Sequence, residues 1–272
     1  DLQAVVGGQP LWEQKEEGEN IVRFLISGIL GAIIHLHSSE IVCRMCCLDT
    51  IVLDWKGYPM LADLTLAKSL RDCGTTYTLC GTPEYNAPEQ ISKTGYSTEP
   101  DYWAVGVLMY ELFAATTPWP EIVAQKKGKG AGEPSPVEIM EAITSYKPIG
   151  GNELPYPQTL SKPAIDIMDD LIDPDVKTRL GCRGDDAANI EEIEGHSFFD
   201  EYSWSALEDG SAVSPFAKEC KERAENAFAG TPIKFDSMVE YKGAQRWCDD
   251  WDFTGTVGYE VTDSKQATTT KK

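Results

Sequence analysis

The segment from Asp101 to Ala115, DYWAVGVLMYELFAA, constrains the fold more than any other in the chain. Its Trp103, Val105, Leu108, Met109 and Leu112 fall on more than one side of a helix, so no single stripe accounts for them. A helix that is apolar nearly all round has to be enclosed by other elements, which predicts a mainly α domain built around it. A second apolar run, Phe24 to Leu36 (FLISGILGAIIHL), is too short to span a bilayer and carries Ser27 and His35. It reads as a second core helix, with Asn20 as a candidate cap and His37 near its end.

Shorter signals fill in the rest. Ile51 to Asp54 and Tyr58 to Ala62 flank Lys56-Gly57, the pattern of a small β-hairpin. Residues 124–136, AQKKGKGAGEPSP, have loop composition, while Val137 to Ser145 and Ala164 to Leu171 alternate with helical period. From Ser214 onward the chain turns polar and ends in TDSKQATTTKK, a composition that does not bury a core.

With 272 residues the chain is long enough for one large domain or two small ones. Its formal net charge of -20 disfavours nucleic acid and anionic lipid as partners and suits basic peptides, although the same charge also serves solubility alone. Eight cysteines at irregular spacing imply no disulfide framework, which fits a reducing compartment, cytoplasmic or an organelle interior, without naming one. Cys43, Cys46 and Cys47 are the nearest thing to a thiolate metal site, but a second ligand pair is missing, so they read as structural thiols. The chain opens on Asp1 with no initiator methionine and no secretory pattern, which reads as a fragment, a processed form or the ordered part of something longer.

Residues 74–113, GTTYTLCGTPEYNAPEQISKTGYSTEPDYWAVGVLMYELF, resemble the activation segment and following core helix of a protein kinase, nearest to the AGC group of cyclic-nucleotide-dependent kinases and their relatives. VVGGQPLW near the start is similar to the hinge between kinase lobes, and RLGCRGDDAANIEEIEGHSFFDEYSW is similar to a later AGC pattern. The resemblance implies a kinase-like C-terminal lobe over residues 1–213 (hinge remnant at 1–12) with the N-terminal lobe absent, and an AGC-type extension over 214–272, disordered at its end. It further implies an ion pair between Glu89 of Ala87-Pro88-Glu89 and Arg179, and an Asp101 that braces the catalytic-loop backbone.

The catalytic loop departs from the family. Cys43-Arg44-Met45-Cys46-Cys47-Leu48-Asp49-Thr50 stands where the pattern is H/Y-R-D-x-K-P-x-N. The resemblance thus puts Met45 at the proton-accepting aspartate, Cys47 at the phosphate-directed lysine and Thr50 at the metal-binding asparagine. Asp63-Leu64-Thr65 replaces D-F-G and keeps only the carboxylate, a remnant read as solvated or locally hydrogen-bonded. From this loop the expectation is no catalytic residue, no metal, no cofactor and no enzyme: a structural or interaction subunit of a larger assembly. The alternative is a fragment of a divergent active Ser/Thr protein kinase acting on basic protein substrates; a nucleotide-sensing regulator needs a further lobe.

Two further sets follow from the resemblance. Thr78 matches the activation-loop phosphosite, with Arg44 and Lys68 at two of its phosphate-binding cations; the plainer reading pairs both cations with surface acids. Asp49, Glu84 and Glu111 match acidic positions of the peptide groove, with Gln9 at another, against the plainer reading of ordinary surface acids. Protein partners are expected, at that groove, at an apolar face formed by Val5, Val6, Leu11, Val52 and Leu64, or through Trp247, Trp251 and Phe253 in the polar tail. No transmembrane segment is expected.

Overall fold

The computed structural model describes residue 2 and residues 10–128, 132–148, 154–200 and 202–229. In chain order these form α1 (Glu16–Ser38), β1 (Ile41–Val42), β2 (Ile51–Leu53), β3 (Pro59–Leu61), β4 (Lys68–Ser69), α2 (Pro88–Ser92), α3 (Glu99–Ala114), α4 (Trp119–Lys127), α5 (Pro136–Ser145), α6 (Lys162–Leu171), α7 (Asp186–Glu194), α8 (Trp204–Glu208) and α9 (Ala217–Ala229). Helix dominates the described residues.

Helix α3 lies at the centre, against α1 and α6. Trp103, Val105, Val107, Leu108, Met109 and Phe113 are fully buried, as an all-round apolar sequence demands. Each such side chain contributes on the order of 1.5–3 kcal/mol by leaving water. Gly106 sets the approach of α3 to α6, because a Cβ there would meet Leu171 and Ile172 at 2.8 and 2.7 Å. Trp103 stacks on Trp119 of α4 with ring centroids 5.7 Å apart, which ties that helix to the same centre.

Helix α1 starts earlier than the sequence suggests. Asn20 is not its cap: the helix begins at Glu16, with Glu16, Glu17 and Glu19 in its first turn and no side-chain cap. Carboxylates at the positive end of the helix dipole take over that role, and the Asn20 side-chain oxygen accepts from Arg23 instead. The lysine-rich stretch is also not all loop, since α4 runs through Ala124 to Lys127. Past it, Ser135 caps α5 by accepting from the Glu138 amide, and the Ser135 amide donates to the Glu138 carboxylate at 2.8 Å.

The strands form two antiparallel pairs, β1 with β4 and β2 with β3. The turn between β2 and β3 needs Gly57, at φ 86°, where a Cβ would also strike the backbone at Phe216. Ser214 is buried there and donates to the Gly57 carbonyl at 2.8 Å, so the polar chain from Ser214 is anchored at its start and continues into α9. Of the proposed apolar face, Leu11 is a core residue at 4% exposure, Val52 is half-buried and Leu64 is exposed. Val5, Val6, Gln9, Trp247, Trp251 and Phe253 lie outside the described residues.

Candidate active site

The two strand pairs bracket residues 43–50 and fix where that loop begins and ends. Its backbone is held from below by Asp101, fully inside the protein on the first turn of α3. One carboxylate oxygen accepts from the Cys43 amide and from His37 Nε2, both at 2.8 Å, and the other accepts from the Arg44 amide at 2.8 Å. His37 comes from the end of α1, so this one carboxylate joins the two core helices to the loop. Arg44 takes a left-handed conformation, φ 62°, which the paired amides over-determine. The role of His37 was missed in the sequence; its helical position marked it only as a helix end.

Met45 is half-buried and packs on the core. Thr50, 3% exposed, turns inward: its hydroxyl lies 2.9 Å from the Cys47 carbonyl, 3.1 Å from the Met45 carbonyl and 3.1 Å from the Cys47 amide, which donates to it. Cys43, Cys46 and Cys47 are buried free thiols. Burial, and next the Asp101 charge, push Cys43 up to about 12, which keeps it a neutral thiol and not a thiolate ligand. Asp63 sits at the surface and accepts from both the amide and the hydroxyl of Thr65, which hold its carboxyl below the usual range. Among the described residues no three His, Cys, Asp or Glu side chains gather where a metal ion would fit.

Beside the loop lies a cleft of about 260 Å³ that brings together all three predicted acidic residues, Asp49, Glu84 and Glu111, along with Cys47 and Tyr85. Glu111 comes from the last turn of α3, and Glu84 from the turn between Pro83 and Tyr85. That turn is pinned by the Trp119 indole, which donates to the Glu84 carbonyl at 2.6 Å. The Tyr85 hydroxyl donates to Glu111. Burial first, then the charges of Glu84 and Asp49, push the Glu111 carboxyl up to about 7. The arrangement is a half-buried carboxylate that lacks a cation. Tyr85 is the residue sequence reasoning passed over here, although it stands beside Glu84 in the quoted motif.

The candidate phosphosite is less assembled. Thr78 is exposed, and its carbonyl accepts from the Tyr96 hydroxyl at 2.5 Å. Arg44 donates to the Leu66 carbonyl at 2.6 Å and Lys68 to the Thr76 hydroxyl at 3.0 Å, so both cations face neutral acceptors, and neither forms an ion pair among the described residues.

Behind the cleft, Glu89 and Arg179 meet in a two-pronged ion pair at 2.6 and 3.0 Å, with 9% and 0% side-chain exposure. Arg179 also donates to the carbonyls of Asp173 and Glu99, and its guanidinium lies 5.3 Å from the Trp103 ring centre. Every nitrogen of that guanidinium donates at least one hydrogen bond.

A family model described as the protein kinase domain matches residues 5–199. Among similar proteins, a Caenorhabditis elegans "cAMP-dependent protein kinase, catalytic subunit-like" is 31% identical over 206 residues, covering 75% of this chain and 46% of that protein. A Caenorhabditis briggsae protein of the same description is 30% identical, with 75% and 48% covered. "Protein kinase C-like 1B" of Caenorhabditis elegans is 31% identical over 230 residues, with 82% and 29% covered. The chain spans less than half the length of these relatives. The matches overturn the expectation that this is no enzyme: kinship with AGC kinases points to a kinase enzyme. With that domain matched over more than half its length, the chain belongs to the protein kinase family.

Proposed function

We propose that the chain is the peptide-holding part of a divergent Ser/Thr protein kinase that acts slowly on basic protein segments. The observation that carries this reading is the cleft of Asp49, Glu84 and Glu111, in which burial and like charge leave Glu111 short of a cation. An arginine or lysine of a substrate entering there supplies it, and an arginine has the planar fork for two-point contact. The same groove suits a basic segment of a protein partner.

Slow turnover follows from the loop. Phosphoryl transfer passes through a loose transition state with little covalent work for the protein, so positioning and electrostatics dominate. A positioned base adds about 10²–10⁴-fold, and a thioether at Met45 cannot act as one. Asp101 fixes the loop backbone, and the cleft is the surface on which this reading lays the acceptor segment. Asp63 is the carboxylate that would meet a magnesium ion carried in with the nucleotide, whose charge would offset that of the phosphates.

Purified chain, incubated with labelled ATP, magnesium and an arginine-rich serine peptide, should give slow labelling. Glu111→Gln should reduce it and Met45→Asp should raise it. No labelling above background with either the native chain or the Met45→Asp variant, together with no binding of the basic peptide, would refute the proposal.

A further inference from the structure

We infer that the stretch from Thr75 to Leu79 is docked by Gly95-Tyr96, so that its order does not depend on the charge carried by Thr78. The family resemblance implies the opposite, a phosphate on Thr78 gathered by Arg44 and Lys68. Thr76 is the centre of the dock. It is 2% exposed, and each of its polar groups is met. Its amide donates to the Tyr96 carbonyl at 2.8 Å, its carbonyl accepts from the Tyr96 amide at 2.9 Å, and its hydroxyl accepts from Lys68 at 3.0 Å. The first two bonds form an antiparallel bridge. Further along, the Tyr96 hydroxyl donates to the Thr78 carbonyl at 2.5 Å. Tyr96 is itself 3% exposed, so the stretch supplies the acceptor that its buried phenol requires.

Glycine at position 95 makes this approach feasible. Its φ is 93°, and a Cβ there would meet the Tyr77 ring at 2.8 Å and the Thr75 methyl at 3.0 Å. The Tyr77 ring therefore lies across Gly95 while its other side stays exposed. The base of the dock is fixed on both sides. The Thr94 amide donates to the Glu89 carbonyl at 3.3 Å, which ties it to α2, and the Ser97 amide donates to the Glu99 carboxylate at 2.6 Å, which ties it to α3. Lys68 belongs to β4, which pairs with β1 just before the 43–50 loop.

None of these contacts passes through the Thr78 side chain, which is exposed. They reach its carbonyl and its neighbours instead. Arg44 and Lys68 already donate to neutral oxygens, so a phosphate would have to draw them from bonds that serve the fold. Neither turnover nor a bound peptide enters the ordering of this stretch, so the peptide-binding proposal stands or falls separately.

Amide hydrogen exchange is the test, on the full chain treated with phosphatase and shown by mass to carry no phosphate. The Thr76 and Tyr96 amides should be protected, and Thr78→Ala should leave their rates within about twofold. Tyr96→Phe should speed both about tenfold, the effect of one lost hydrogen bond, while amides within α3 keep their rates. Protection that appears only once Thr78 is phosphorylated, a Thr78→Ala chain that exchanges as fast as Tyr96→Phe, or a Tyr96→Phe chain at the native rate would each overturn the assignment. Should the phenylalanine variant not fold, Thr78→Ala and Thr78→Glu decide. Equal exchange at Thr76 and Tyr96 upholds the assignment, and exchange about tenfold slower in the glutamate variant overturns it.

Discussion

A buried glutamate and a half-buried one stand in opposite circumstances in this molecule. Glu89 meets a guanidinium whose three nitrogens all donate hydrogen bonds, inside the fold, at 2.6 and 3.0 Å. Glu111 is half-buried beside Glu84 and Asp49 and, among the described residues, receives only the hydroxyl of Tyr85. The same residue type is completed internally in one region and left incomplete in the other. The scaffold behind the cleft is thus a closed electrostatic system, while the cleft is an open one that a cation from outside can close.

Breaking the closed system should have the largest effect. Arg179→Met leaves Glu89 buried without its partner and should destabilise the domain by about 3–5 kcal/mol, read as a shift in the urea midpoint at unchanged slope. A loss under about 1 kcal/mol would mean that the pair does not lock α2 to the segment after α6, and the contrast between the two glutamates would fall. Asp101→Asn should come next. It keeps the shape but removes the charge that serves His37, Cys43 and Arg44, at a cost of about 2 kcal/mol.

The open system should respond to pH. Glu111 has an ordinary value of 4.5 and is raised to about 7 in the fold. Between these the folded state binds more protons than the unfolded one, so this group's contribution to stability falls as pH rises from 4.5 to about 7 and is level above. A basic peptide requires the anion, so its affinity should rise across the same window and level off above about pH 7. Glu111→Gln should remove that dependence and weaken the peptide about tenfold at pH 8, roughly the worth of one charged hydrogen bond. A peptide affinity flat from pH 5 to 8 in the native chain would place the binding elsewhere. The smallest effect belongs to an exposed pair. Lys162→Ala removes the surface contact with Asp166 and should move the melting temperature by about 1 °C or less.

Much of the scaffold was legible in the sequence, because burial leaves a pattern. The all-round apolar face of residues 101–115 placed α3, and alternation placed α5 and α6 within a residue or two. Helix starts were harder: Glu16 opens α1 through dipole complementarity, which has no single-residue signature, while Asn20 looked like a cap and was not. The acidic trio was readable as three residues, but not as one cleft, because Asp49, Glu84 and Glu111 converge only after the fold is made. The inward turn of the Thr50 hydroxyl was invisible for a similar reason: the sequence offered it only as a lost ligand, and the distances to Met45 and Cys47 show the bonds it makes. Substitutions at the loop were therefore overread as the end of enzymatic function, which kinship with AGC kinases corrects.

The most direct test of the open cleft is an NMR titration of the Glu111 side-chain carboxyl, without and with a saturating arginine-rich peptide. The free chain should titrate near 7, and the peptide should pull that value down toward the ordinary carboxylate range, because a cation has replaced like charge around it. A free value already near 4.5, or one that the bound peptide leaves unmoved, would contradict the account.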